Sequence, residues 1–286
     1  MICAVPAIFP AATFCSVCWG SDIVKTSYRY ASLEDFLISH RLTVDETFDD
    51  GWGASFPVKG IELNASILFA DISGFSRRTA EMSPVETLIF VNNFFAWISA
   101  EAIKDRPCIV DKYIGDEVML LFAKEFGCED PFEAALQTAH NIADRDMLSF
   151  CPHIGIASGR VIAGYVGTPI KYSASLFGAP VALAARCAAI KPEDEFVSSY
   201  ITFPAIEWCD RELANVFPPR RYAHPERGVV EQPHAWTMNE PRSVSIKNLG
   251  EIEVRQIVNQ TVSFPQQSAE DRAREFAAMI ATQRRN

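Results

Sequence analysis

Val110-Asp-Lys-Tyr-Ile-Gly-Asp-Glu-Val-Met-Leu-Leu-Phe122, VDKYIGDEVMLLF, reads as a β-hairpin. Gly115-Asp116 supplies the turn, and apolar flanks run from it into a core. Two acids, Asp116 and Glu117, stand at the tip of a hairpin otherwise built for burial. Upstream, Ser66-Ile-Leu-Phe-Ala-Asp-Ile-Ser73 is a near-continuous apolar run, the pattern of a strand covered on both faces. It contains a carboxylate, Asp71, with no partner in the neighbouring sequence. A charge in such a strand is costly unless it is paired or bound to metal.

The elements between and after these two stretches give the topology. Ser83-Pro-Val-Glu86 opens a helix with an N-cap serine, a proline at the first helical position and a capping-box glutamate. That helix, predicted to run to about Ile103, is apolar on more than one face. Val85, Leu88, Val91 and Phe95 lie on one side and Phe90, Phe94 and Trp97 on another, which suits a helix that covers a sheet and also meets a partner subunit. Asp130-Pro-Phe-Glu133 starts a second helix, to about Met147. There follow a strand at His153–Ser158, a turn at Gly159-Arg160, a strand at Val161–Val166, a loop, and a short Ala-rich helix from Pro180 to Ile190. The order β-α-β-β-α-β predicts an α+β, ferredoxin-like sandwich. A β-containing C-terminal extension carries a strand pair around SVSIKNLGEIEVRQI. The expected division is an N-terminal extension at 1–60, a main domain at 61–265 and a terminal helix at 266–286.

Composition bounds the function. The chain has 286 residues, 49% hydrophobic and 22% charged, with a formal net charge of -10. A nucleic-acid surface needs clustered Lys and Arg, so that class is excluded and any polyphosphate site is a local basic pocket. The eight cysteines are scattered. Cys15 and Cys18 form a lone C-x-x-C without a second pair at zinc-site spacing, so free thiols in a reducing cytoplasm are expected. Residues 1–20 carry no charge, and Pro6 and Pro10 interrupt any helix there. A floppy or misassigned start is the favoured reading. The alternative is a membrane anchor, after which Lys25 and Arg29 would keep the remainder inside the cell.

A right-handed crossover returns a strand beside its start, so Asp71 and Asp116 can converge. Two hard oxygen ligands with room for phosphate oxygens suit Mg²⁺ or Mn²⁺. After Asp71, Ile72-Ser-Gly-Phe-Ser76 offers backbone N–H groups at a strand-to-helix turn, a natural phosphate cradle. Together these features point to nucleotide chemistry.

FADISGFS, KYIGDEV, GIASGRVIAGYVG and FGAPVALAAR, in that order, resemble the class III nucleotidyl cyclase catalytic domain over residues 66–190. IKNLGEIEV is a weaker echo in the tail. The resemblance implies a homodimer with two shared sites and two divalent ions, Mn²⁺ or Mg²⁺, acting on a nucleoside triphosphate. One subunit would supply the metal ligands Asp71, Asp116 and the carbonyl of Ile72, the amides near Gly74 and Phe75, and Arg160. Its partner would supply the base-reading pair Lys112 and Ser175 and the transition-state residue Arg186.

Three positions depart from the family pattern. Adenylate cyclases of this class place Asp or Thr where this chain has Ser175, and Asn where it has Ala182. Guanylate cyclases replace the lysine, which is present here as Lys112. The triphosphate lysine of the tail falls near Leu249, which leaves Lys247 or Arg255 as substitutes. Lys112 and the Ser175 hydroxyl can both donate, and uracil offers O2 and O4 as acceptors. The pattern is most similar to the standalone pyrimidine cyclases of bacterial anti-phage signalling, the Pycsar type. These imply a cytoplasmic enzyme making cyclic UMP for a separate effector. The alternatives are a cytidylate cyclase, an adenylate cyclase with a relaxed purine site, or a catalytically dead cyclase-like module.

Overall fold

The computed structural model describes residues 30–49, 55–104, 107–144, 150–168, 171–193, 199–209, 211–224, 228–232 and 236–259. The expectations for residues 1–20, for the Cys15/Cys18 pair and for the terminal helix lie outside them. Helix α1 (Leu33–Ser39) is capped by the Ser32 hydroxyl, which accepts from Asp35 N–H. Strands β1 (Val44–Asp49) and β2 (Ser55–Asp71) form an antiparallel hairpin. Part of the stretch read as a separate extension is therefore sheet, and β2 starts well before Ser66. Its early residues alternate polar and apolar, so only the fully buried half showed as an apolar run.

A five-residue helix, α2 (Phe75–Thr79), precedes α3 (Pro84–Lys104). The capping box at the start of α3 is present: Ser83 N–H donates to Glu86 Oε2 (2.8 Å) and Glu86 N–H to Ser83 Oγ (3.3 Å). Phe90, Phe94 and Ile98 of α3 are buried, while Val85 and Leu88 are exposed. The hairpin β3 (Ile109–Ile114) and β4 (Glu117–Ala123) follows as read, with Gly115 at φ 66° in its turn. Asp130 caps α4 (Pro131–Asp144) by accepting from Glu133 N–H at 3.0 Å.

The predicted turn at Gly159-Arg160 is absent. β5 (His153–Thr168) is one strand through Gly159 and pairs with β2 from His153 to Gly164. The stretch read as a loop forms β6 (Lys171–Phe177), which folds back on the second half of β5. Period-2 alternation is weak in both places, so tertiary pairing overrode the local turn signal. Helix α5 (Ala179–Ala188) lies so close to β5 that a Cβ at Gly155 would come 2.1 Å from the Ala184 carbonyl oxygen.

The tail contributes β7 (Tyr200–Pro204), the short α6 (Leu213–Val216), a two-stranded sheet of β8 (Arg220–His224) and β9 (Gly228–Gln232), then β10 (Trp236–Met238) and the hairpin β11 (Arg242–Ile246) with β12 (Gly250–Asn259). In the large sheet the order is β10-β12-β7-β5-β2-β4-β3. Its β5-β2-β4-β3 portion is the split β-α-β arrangement expected of the sequence, and β7 extends it by pairing parallel to β5. Two cores result. Leu68, Ala70, Leu120 and Ile154 pack under α3 and α4, whereas Ile67, Phe69, Met119 and Ala157 pack under α1 and α5.

Candidate active site

Asp71 ends β2 in register with Glu117 of β4 on one side and His153 of β5 on the other. Period-2 alternation from Ile67 and Phe69 puts its side chain on the α1/α5 face. The carboxyls of Asp71 and Asp116 share a hydrogen bond. Burial, that bond and the charges of Asp116 and Glu117 push Asp71 up to about 8, opposed by Ile72 N–H. Burial and the neighbouring Asp116 also raise Glu117, to about 7. Glu117 is the half-buried first residue of β4.

Acids crowded this way hold a proton between them unless a cation takes its place. The donor set is two hard carboxylates with the Ile72 backbone beside them, which fits Mg²⁺ or Mn²⁺ whose remaining positions go to water and phosphate. Among the described residues no group of three or more His, Cys, Asp or Glu is arranged to hold an ion by itself.

Beyond Asp71, Gly74 adopts φ 63° and starts α2, with Phe75 as its first helical residue. The left-handed conformation lets the chain turn sharply and leaves the amides of this bend at the Asp71 end. Two residues near that end carried no sequence signal. His153 stacks on Tyr200 with ring centroids 4.3 Å apart. Burial, and then the charges of Lys191 and Arg78, depress its pKa to about 4. Lys191 and Arg78, more than a hundred residues apart in sequence, are brought near His153 only by folding.

The two residues expected to read the base form a second cluster. Lys112 Nζ donates to Ser175 Oγ at 2.7 Å, joining β3 to β6 across residues far apart in sequence. Lys112 also lies 3.2 Å from Asp111 Oδ2. Arg186 is exposed on α5 and makes no ion pair with a described residue, so a structural salt bridge does not explain it. Ala182 is exposed on the same helix. Of the two tail candidates, Arg255 is engaged with the Asn239 carbonyl (3.4 Å), while Lys247 stands in the exposed β11–β12 turn.

Arg160 departs from expectation. It lies opposite Asn64, seven residues before Asp71 on β2, or about 23 Å away at 3.3 Å per residue. There its guanidinium pairs with Glu62 at 2.5 Å. The continuous β5, in place of the predicted turn, carries it away from the metal end of its own chain.

The family model for the adenylate and guanylate cyclase catalytic domain matches residues 61–196. An uncharacterized protein of Mycobacterium tuberculosis is 34% identical over 130 residues, which is 44% of this chain and 23% of that protein. A second from the same organism is 30% identical over an equal span. The chain thus spans about a quarter of the length of these curated relatives. Among solved structures, a bacterial light-regulated adenylyl cyclase superposes with TM-score 0.53 at 23% identity, over 77% of this chain and 57% of that one. The adenylyl cyclase CyaB of P. aeruginosa gives 0.52 at 17%, over 70% and 95%. The guanylyl cyclase Cya2 gives 0.51 at 18%, over 70% and 93%. The matched residues, just under half of the chain, resemble the catalytic domain of the adenylyl and guanylyl cyclase class. The mixed α+β architecture around a mostly antiparallel sheet is the fold of that class.

Proposed function

We propose that the chain is a pyrimidine nucleotide cyclase that converts UTP to 3′,5′-cyclic UMP and pyrophosphate. The observation that carries this reading is the Lys112–Ser175 hydrogen bond. Ser175 Oγ accepts from the ammonium, so its own proton is free to point at a base. The ammonium keeps further N–H groups for the same base. Two donors match O4 and O2 of uracil. An amino-bearing base would need an acceptor in place of one of them.

Two copies would share each site, one giving Asp71, Asp116, Ile72, Gly74 and Phe75 and the other Lys112, Ser175 and Arg186. Mn²⁺ or Mg²⁺, when bound, supplies Lewis-acid polarisation of the ribose 3′-hydroxyl and neutralises triphosphate charge. Asp71 and Asp116 would hold the metal, with the Ile72 carbonyl. The amides around Gly74 and Phe75 orient the phosphates. The 3′-hydroxyl gives its proton to water as its oxygen attacks the α-phosphorus in line, the bond to the bridging oxygen breaks, and pyrophosphate leaves. Arg186 donates to the α-phosphoryl oxygens as their charge builds, a contact that strengthens toward the transition state. In this reading cyclic UMP is a second messenger for a separate effector in anti-phage defence.

Incubating purified protein with ATP, GTP, CTP and UTP in Mn²⁺ and identifying products by mass tests the reading. Cyclic UMP is the expected dominant product. Cyclic CMP would keep the pyrimidine class and change the base, whereas dominant cyclic AMP would overturn it. No product from a folded dimer would make the chain a nucleotide-binding module, a reading that the loss of the ribose-orienting asparagine at Ala182 favours.

A further inference from the structure

The hairpin that carries Lys112 has an irregularity where its register shifts between Val110 and Lys112. Ile109 faces the core under α1, and Val110 packs against the core under α3. Asp111 is next, and Lys112 is already opposite Met119, which belongs to the α1 side. In a regular strand Asp111 and Lys112 would point to opposite faces. The bulge sets two residues against one and turns both toward the same side.

Asp111 is therefore a carboxylate inside the sheet's covered face. Its side chain is 2% exposed, and Oδ2 receives no hydrogen bond although the Lys112 ammonium lies 3.2 Å away. A carboxylate so buried is costly unless a cation compensates it. Burial raises its pKa, the charge and hydrogen bonding of Lys112 oppose the rise, and Glu34 adds to it. Glu34 is itself fixed, accepting from Ala174 N–H at 3.2 Å beside Ser175. Lys112 is thus ion-paired with one buried carboxylate while it donates to Ser175.

We propose that Asp111 is a specificity-determining positioning residue: it holds the Lys112 ammonium against Ser175 and so fixes which nucleobase the pair accepts. With Lys112 held, Ser175 is locked as an acceptor toward lysine and a donor toward the base. Released, the ammonium can swing away and the serine can present either its proton or its lone pairs. Selectivity among bases then relaxes. The direction of the selectivity rests on the uridylate reading above; the role of Asp111 in fixing it does not.

The test uses the full-length chain and the variants Asp111→Asn, Asp111→Glu and Lys112→Ala. Steady-state rates with all four triphosphates in Mn²⁺ are paired with calorimetric binding of the same four in Ca²⁺. Asp111→Asn is expected to raise KM for the preferred nucleotide about tenfold while kcat stays within about threefold, as loss of one charge-assisted contact implies. Discrimination among the four should fall by a similar factor, and Asp111→Glu should restore part of it. Added to Lys112→Ala, the Asp111→Asn change should have no further effect on selectivity, because it acts through the lysine. An unchanged nucleotide preference, or an equal loss of kcat for every nucleotide, would overturn the proposal. A wild-type preference for ATP would sink the uridylate reading alone, provided Asp111→Asn still flattened that preference. Failure to bind any of the four would sink both.

Discussion

Asp71 and Asp116 are held close enough to share a hydrogen bond at the end of a strand that is otherwise apolar. Replacing either with alanine should lower turnover at least about a thousandfold, as expected for loss of a ligand to the catalytic ion. Mn²⁺ should stabilise the wild-type fold in a thermal melt and leave the Asp71→Ala melt unmoved. Retained activity in either variant would remove them from the metal site. Arg186 makes a different prediction, because its proposed role is to bind the charge that develops during reaction. Arg186→Ala should reduce kcat about a hundredfold and change KM by less than about threefold. A loss confined to KM would make it a ground-state binding residue. Sequence reading singled out Asp71, Asp116, Lys112, Ser175 and Arg186, because each breaks an apolar pattern or fits a recognisable motif. It passed over Asp111 and His153, whose surroundings depend on register and on a bulge that residue spacing does not announce.

α5 carries Arg186 and packs on β5 only because Gly155 has no side chain. Gly155→Ala would drive a Cβ to 2.1 Å from one backbone atom of α5 and 2.2 Å from another. The helix must shift, at a cost of about 3 kcal/mol of stability, and kcat should fall with it because Arg186 moves too. Chemical denaturation and single-turnover rates measured side by side would check the pairing of these effects. α4 depends on Asp130 at its cap. Burial raises this carboxyl, but the Glu133 N–H, the Arg211 guanidinium and the Phe132 N–H outweigh it and hold the pKa below the ordinary 3.8. A depressed carboxyl stabilises the fold above its ordinary pKa, and that contribution is lost as pH falls through the lower folded value. Asp130→Ala should cost about 1 kcal/mol near neutral pH, as for other N-caps, and should flatten the acid limb of a stability-against-pH curve below about pH 4. A variant curve parallel to wild type would show that the Arg211 pair contributes nothing.

In one chain the Asp71–Asp116 cluster and the Lys112–Ser175 cluster are separate networks, and Arg186 reaches neither through a described contact. A second copy is what would bring them onto one nucleotide, and the exposed Val85 and Leu88 of α3 leave apolar surface for contact between molecules. Mixing Asp71→Ala with Lys112→Ala subunits should recover about a quarter of wild-type turnover, since half the dimers are mixed and each has one intact site. No recovery on mixing would show that the sites are not shared. Among the described residues no helix is long and apolar enough to cross a membrane. Pelleting of the whole chain with membranes would test the anchor reading of residues 1–20.

The order of residues was enough to specify the helix starts, the buried strand at Ser66–Asp71, the Gly115-Asp116 hairpin and the β-α-β-β-α-β plan. Caps, turns and apolar runs are local, and local chemistry is written in neighbouring residues. Folding was needed to make β5 a single strand through Gly159, to turn 171–177 into β6 and to carry Arg160 about 23 Å from the acids it was expected to join. Those outcomes come from pairing between distant segments, whose cross-strand energies exceed the weak local preference for a turn. Register within the β3–β4 hairpin likewise creates the bulge that turns Asp111 and Lys112 to one side, so the feature proposed to decide the base arises from register and not from spacing.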